Sequence, residues 1–241
     1  MNALANPEVG KYVNENFCSS FQKVATFRIV GAAKQGGNVA TYFCAPDGRV
    51  LHLVAGPVDA GTMLREAKWV VETTRKAIAD SKGDGAKFKT IMRQAHAEKL
   101  KQESGVVVEA VTFDPPDPQD PASALTYQDP SGRPLAPKLP PPPIDGPDVS
   151  LKAREAQANA ANAPGARQLD ARRGGKVWLG NAGVVHQIMA AHSMTKIEKV
   201  YGTVFENILG EKISTQPVQV VKPFSWVQDG KNLRNGVQIE R

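Results

Sequence analysis

The sequence predicts an α/β protein made of an N-terminal α/β segment, a Pro-rich linker and a small, mainly helical C-terminal region. Two observations lead to this prediction. Residues 38–72, NVATYFCAPDGRVLHLVAGPVDAGTMLREAKWVVE, change from an apolar extended pattern to a helical one. Twelve of the 18 prolines lie in residues 114–148, where they separate the two structured parts of the chain.

A strand hairpin followed by a long helix is the best-defined local pattern. Residues 39–44 are β-branched and aromatic, and residues 45–48 (APDG) have the chemistry of a type I turn. Residues 50–55 are nearly all apolar, which predicts a strand covered on both faces. Asp59 can cap the amphipathic helix that we predict over residues 59–81.

The other elements of the N-terminal segment have weaker patterns. We predict a short helix over 6–17, one or two strands within 17–30 and a break at 31–37 (GAAKQGG). A second helix is predicted over 86–102, with a short strand or the start of the linker at 105–113.

The C-terminal part begins with an alanine-rich helix at 151–163 and contains two further helices. Apolar residues at helical spacing define one helix around 184–189 and a strongly amphipathic one over 197–209. Thr195 and Glu198 have the spacing of a capping box, and Gly210 is placed to end the helix. The predicted units are 1–113 (α/β), 114–148 (linker), 149–176 (Ala-rich and flexible) and 177–241 (small, helical, with short strands at 213–221 and 224–227).

Residues 6–81 resemble the C-terminal half of the thioredoxin fold. YFCAPDGRVLHLVAG resembles its antiparallel hairpin, DAGTMLREAKWVVE its closing helix, and NPEVGKYVNENFCSSFQKV the helix after its redox motif with the next strand. The family's Cys-x-x-Cys motif is absent before residue 6, and Gly36-Gly37-Asn38 stands where its loop proline would be. The resemblance therefore implies a partial thioredoxin-like domain without the family's catalytic residues.

Cys18 and Cys44 are the only cysteines, so they are the only redox candidates. Thiol–disulfide exchange needs an accessible thiolate of lowered pKa and a nearby resolving thiol. Neither cysteine opens a predicted helix, where a helix dipole would lower its pKa. We expect two buried, reduced thiols, with a Cys18–Cys44 bridge as the alternative if their strands are neighbours.

The four histidines do not form a recognisable metal motif. His186 and His192 are six residues apart, not the three or four that place two ligands on one helical face. His52 lies in an apolar strand, where a satisfied imidazole is expected, and His96 lies on a polar helix. The sequence therefore predicts no metal site and no cofactor.

Charge and hydropathy narrow the classes of partner. The net charge is +6, but the basic residues are dispersed, and the longest basic cluster is DARRGGK (170–176), which is too short to predict nucleic-acid binding. No window is apolar enough for a membrane span, and the N-terminus lacks a signal-peptide pattern. These features predict a soluble, cytoplasmic protein; a secreted or periplasmic location would require a signal peptide upstream of Met1.

A non-catalytic, redox-inactive, protein-interaction or scaffold module is the leading functional hypothesis. Two alternatives remain open: a thiol–disulfide oxidoreductase whose Cys-x-x-Cys lies upstream of Met1, and a self-associating structural protein. LAPKLPPPP in the linker has PxxP spacing, so it is either a spacer or a docking peptide. The candidate partner-binding face is the apolar stripe of 197–209, whose alternative role is core packing: Ile197, Tyr201, Phe205 and Leu209.

Overall fold

The computed structural model describes residues 3–24, 28–30, 33–35, 38–110, 139–211, 213 and 219–221. The helices are α1 (Pro7–Asn16), α2 (Ala60–Ser81), α3 (Gly85–Ser104), α4 (Leu151–Ala161), α5 (Asn181–His192) and α6 (Ile197–Thr203), which continues as a π-helical segment, Val204–Ile208. The strands are β1 (Arg28–Val30), β2 (Ala33–Gln35), β3 (Ala40–Cys44), β4 (Val50–Ala55), β5 (Val106–Val108), β6 (Ile144–Pro147), β7 (Arg167–Asp170), β8 (Lys176–Leu179) and β9 (Gln219–Val221). This mixture of helices with small, mainly antiparallel sheets agrees with the predicted α/β class.

The strands form four small sheets within the described residues. β3 pairs with β4, β5 with β6 and β7 with β8, each antiparallel, and β1 lies between antiparallel β2 and parallel β9. The β3–β4 pair contains a bulge, because Phe43 lies opposite His52 while Cys44 lies opposite Val50. Leu51 is therefore the extra residue of β4, without a partner on β3.

The predicted hairpin and the long helix that follows it are both present. The turn between β3 and β4 places Gly48 at a φ of +80°, a conformation that favours glycine. All six residues of β4 are buried, which confirms the prediction of a strand covered on both faces. The Asp59 carboxylate accepts a hydrogen bond from the Thr62 backbone N–H at 2.7 Å, so it caps α2 as predicted.

The structure corrects three local predictions. The region expected to be flexible at 149–176 contains β7 and the turn into β8, in which two consecutive glycines, Gly174 and Gly175, adopt positive φ. A glycine pair was interpreted as flexible, whereas here it makes a tight turn. The predicted break at 31–37 contains β2. The N-cap of α6 is Lys196 without a side-chain capping bond, so the expected capping box is not formed.

Two apolar cores meet at strand β4. The hairpin–α2 core includes Phe43, Leu51 and Val54 from the hairpin together with residues of α1, α2 and α3. The α5 core includes Val50, Leu53 and Ala55 from the same strand, together with these buried residues of later segments: Leu100, Val106, Ile144, Val177, Leu179, Val185, Ile188, Met189, Val200 and Val204. The N-terminal and C-terminal parts of the chain thus both contribute residues to the α5 core.

The described end of the predicted linker is packed against the C-terminal helices. The Leu139 N–H donates to Thr203 Oγ1 at 2.9 Å, and the carbonyls of Pro140 and Pro142 accept bonds from α5. Residues 144–147 form β6 against β5. The PPPP run of the candidate docking peptide is therefore engaged within the chain, while residues 111–138 lie outside the described residues.

Within the described ranges, no helix is both long enough and apolar enough to cross a membrane.

Candidate metal centre

Three histidines from distant parts of the chain meet where the two cores join. His52 lies in β4, His96 in α3 and His186 in α5, and each is at most 2% exposed. One ring nitrogen from each histidine lies within 4.8 Å of one from each of the others. We call these three residues the histidine cluster. Among the described residues, they form the group whose ring nitrogens lie close enough together to hold a metal ion.

The bulge in β4 orients the first member of the cluster. Because Leu51 has no partner on β3, its carbonyl points out of the strand ladder and accepts two bonds, from His96 Nε2 at 2.8 Å and from Ser193 Oγ at 3.3 Å. A carbonyl oxygen can only accept, so His96 Nε2 carries the ring proton. The Nδ1 atom of His96 is then the unprotonated nitrogen with a free lone pair.

That lone pair points towards the second member of the cluster. His96 Nδ1 and His186 Nδ1 are 2.9 Å apart, and neither residue is exposed to solvent. Without a metal, His186 Nδ1 must carry a proton to make this a hydrogen bond. With a metal between them, both Nδ1 atoms would present lone pairs to the ion after a small separation of the rings.

The third member, His52, is buried without a hydrogen bond. Its Nε2 lies 3.2 Å from Glu66 Oε2, a close polar contact that lacks the alignment of a hydrogen bond. Neither of its ring nitrogens has a hydrogen-bond partner among the described residues. An unsatisfied buried polar side chain costs about 1–3 kcal/mol, and a ligand bound to His52 would remove this cost.

Burial keeps all three imidazoles neutral. It lowers the pKa of His52, lowers that of His96 to about 3 and places that of His186 well below its usual range. For His52, the carboxylate of Glu66 opposes this shift, and for His96 the Leu51 carbonyl does so. The pKa of Glu66 is lowered to about 2, despite its burial, by its contacts with His52 and Lys99.

The chemistry of the cluster fits a divalent transition metal. Neutral imidazoles are the form of histidine that binds metals, and three of them suit Zn²⁺ and neighbouring first-row ions. Metal-binding histidines typically donate their second N–H to a carbonyl or place it beside a carboxylate, as His96 does to Leu51 and His52 does towards Glu66. The alternative is three neutral imidazoles in the core without a metal. It explains the hydrogen bonds of His96 but leaves His52 without one.

The side chain of Trp69 adjoins the whole cluster. Its ring centroid lies 5.0, 4.9 and 5.5 Å from those of His52, His96 and His186, with edge-on geometry in each case. Trp69 also lines a surface groove with Arg65, Lys68 and Glu72 on the outer side of α2. This indole therefore connects the buried imidazoles with the protein surface.

The two predicted redox candidates are both free thiols. Cys18 is exposed, so the prediction of two buried thiols was wrong for it, and Cys44 is partly buried. Burial, followed by the charges of Glu198 and Asp47, raises the pKa of Cys44, which disfavours the thiolate that redox exchange requires. Cys18 follows α1 in a described segment without helix or strand, not at the start of a strand.

The candidate partner-binding stripe lies against the cores of the protein itself. Phe205 is buried, at 4% exposure, while Ile197, Tyr201 and Leu209 are partly buried and pack on neighbouring apolar residues. The structure thus places these four residues in the alternative role stated for them, core packing.

Sequence reasoning missed the histidine cluster because its members share no local spacing. The sequence places His96 on a polar helix, yet its side chain is completely buried. The sequence of α3 does not reveal that α5 packs over His96, so the burial of this residue was not predicted. One signal was available: His52 interrupts a strand whose other residues are all apolar.

Comparison with known proteins adds no family to this geometry. No family model matches the chain, and searches of curated proteins and of solved structures found no match either. The thioredoxin-like resemblance therefore stays a prediction from the residues of 6–81, and the functional argument depends on the site itself.

Proposed function

We propose that this chain is a non-catalytic metal-binding protein in which His52, His96 and His186 bind one divalent transition-metal ion, with Zn²⁺ the expected ion. The observation that carries the proposal is the proximity of three buried imidazoles, with one ring nitrogen of each within 4.8 Å of the others and one of the three without a hydrogen bond. A bound ion would give His52 the partner that the protein atoms do not supply.

A structural role is favoured over a catalytic one by the burial of the ligands. Three histidine ligands leave one of the four zinc positions for a further ligand, and in catalytic sites that position is open to substrate. All three histidines are at most 2% exposed. The ligands come from β4, α3 and α5, so the ion would join the N-terminal segment to the C-terminal helices and add its binding free energy to folding.

This role is compatible with the non-catalytic interaction or scaffold module predicted from the sequence. A metal that fixes the packing of α3 on α5 would hold together the surfaces that such a module presents. The identity of a protein partner does not enter the metal proposal, and the two can be tested separately.

Metal content of the purified protein tests the proposal. The full chain is prepared without a histidine tag, stripped with a chelator, dialysed against Zn²⁺ and analysed by mass spectrometry of metals. We expect one ion per chain in the wild type and in H192Q, a matched control on α5, and a strong loss in H186Q. Less than a tenth of an ion per chain in the wild type, or unchanged content in H186Q, would contradict the proposal.

A spectroscopic measurement keeps the test informative if H186Q does not fold. Co²⁺ bound to the wild type should give d–d bands without thiolate-to-cobalt charge transfer, because the ligands are nitrogens. A C18S/C44S variant should give the same spectrum. Loss of the bands in that variant would assign the metal to the cysteines instead.

A further inference from the structure

A buried lysine ammonium lies beside the histidine cluster. The side chain of Lys99 is 8% exposed, and its Nζ hydrogen-bonds Glu66 Oε2. The same Nζ lies 4.3 Å from the ring centroid of Trp69, in cation–π contact. Burying an ammonium group is costly unless it is paired, and here Glu66 supplies the paired charge.

Trp69 and Glu66 both join Lys99 to the cluster. The indole that receives the ammonium group contacts all three imidazoles. The carboxylate oxygen that binds Lys99 Nζ is also the atom 3.2 Å from His52 Nε2. The lysine and a metal-bound His52 would therefore draw on the same carboxylate oxygen for charge balance.

The charge of Lys99 reaches every member of the cluster. It contributes to lowering the pKa of His52, His96 and His186, which means that positive charge at each ring is opposed by the ammonium group. A divalent ion bound by the same three rings would meet the same opposition, at twice the charge.

The other charged groups near this pair are less buried. Glu103 Oε1 lies 3.7 Å from Lys99 Nζ, and Arg65 Nε lies 3.5 Å from Glu66 Oε1. The side chains of Glu103 and Arg65 are 45% and 61% exposed, so solvent screens their charges. Lys99 and Glu66 are thus the two charges that act on the cluster from within the core.

We infer that Lys99 is the affinity-determining residue of this site: its ammonium group balances Glu66 when no metal is bound and opposes the metal when it binds. This inference rests on the proposed metal-binding function. Lys99 acts as a positioning residue through Glu66 and His52, not as a ligand.

Removing the charge of Lys99 should move stability and metal affinity in opposite directions. Lys99→Met keeps a long apolar side chain but leaves Glu66 without its ammonium partner, so the metal-free protein becomes less stable. The Zn²⁺ affinity should rise by roughly 10- to 100-fold, because the repulsion is removed and Glu66 is free to support His52. Lys99→Arg retains the charge and should retain the wild-type affinity.

Competition titrations with a chromophoric chelator measure this effect on the full chain. Zn²⁺ dissociation constants are compared for wild type, K99M and K99R, with K101M as the matched control from an exposed position on α3. Tighter binding in K99M alone supports the inference. Equal or weaker binding in K99M overturns it, because a purely structural lysine would lower stability and affinity together.

A second pair of variants avoids an unpaired buried carboxylate. E66Q should bind Zn²⁺ about 10- to 100-fold more weakly than wild type, and the E66Q/K99M double variant should bind more tightly than E66Q. No difference between these two proteins would overturn the role of Lys99. Metal binding by K99M but not by wild type would support Lys99 while refuting metal binding by the native chain, and absence of binding in both would refute both proposals.

Discussion

Helix α5 carries buried polar side chains at two places that differ in how completely they are hydrogen-bonded. Towards the proline run, Gln187 Nε2 donates to the Pro142 carbonyl at 2.9 Å and His192 Nε2 to that of Pro140 at 2.7 Å. Towards β4 and α3, His186 meets His96, and His52 beside them has no hydrogen bond. At the first place, protein atoms alone satisfy the buried polar side chains. At the second place they leave His52 without a hydrogen bond, and this is why we assign a ligand there.

Acid should destabilise the metal-free protein mainly through the histidine cluster, and this is the largest effect we expect. The unfolded chain takes up protons on histidine as pH falls below about 6.5, whereas the folded pKa values are lowered, that of His96 to about 3. The folded state therefore loses about 1.4 kcal/mol per pH unit for each histidine that stays neutral. Glu66, whose pKa is lowered to about 2, adds to the loss only below its unfolded value near 4.5.

Urea unfolding between pH 7 and pH 5, with chelator present, measures this slope. H192Q is the control, because it removes the histidine of the proline-run contacts and leaves the cluster intact. A free energy of unfolding that stays flat over this range in both proteins would show that the three imidazoles titrate normally when folded.

Replacing two members of the cluster separately should distinguish a satisfied histidine from an unsatisfied one. In the presence of chelator, H96L should cost about 1–3 kcal/mol of unfolding free energy, since it leaves His186 Nδ1 without its partner and the Leu51 carbonyl with only its longer bond from Ser193. H52L should change it by less than about 1 kcal/mol, because removing an unsatisfied buried imidazole offsets the loss of its contact with Glu66.

Zn²⁺ sharpens this second comparison. Thermal melts should show a metal-dependent rise in melting temperature for wild type that neither H52L nor H96L retains. An equal loss of stability for both variants in chelator would remove the distinction between the two histidines, and with it the main support for a ligand at His52.

A smaller effect is expected on the other side of α5. Q187L leaves the buried carbonyl of Pro142 without its donor and should cost about 1 kcal/mol, with no change in Zn²⁺ content. Q102L replaces an exposed glutamine of α3 and serves as the control in the same urea titrations. Loss of Zn²⁺ from Q187L would show that the two polar places on α5 are coupled and would contradict their independence.

Most of the secondary structure that was predicted from the sequence followed from local patterns. The β-branched and aromatic residues of β3, the apolar run of β4 and the helical spacing of α2 are each local in the sequence, so these elements were predicted. The β7–β8 hairpin was missed because its glycine pair is equally typical of a linker, and only its pairing register distinguishes the two.

The histidine cluster could not be predicted from any local sequence pattern. The positions 52, 96 and 186 are brought together by packing of α3 and α5 on β4, and the carbonyl that orients His96 is exposed by a one-residue bulge. A register shift of this kind follows from the pairing of two strands, not from the composition of either one.

Strand β4, buried on both faces, also sets an order of events during synthesis. The residues that cover its α5-facing side, Val184 to Met189, follow Leu53 by about 130 residues. At a translation rate of roughly 5–20 residues per second, on the order of 10 s passes between the synthesis of β4 and that of the helix that covers this side of it. The nascent N-terminal segment therefore presents an apolar surface to the ribosome exit and to chaperones before the rest of the chain arrives.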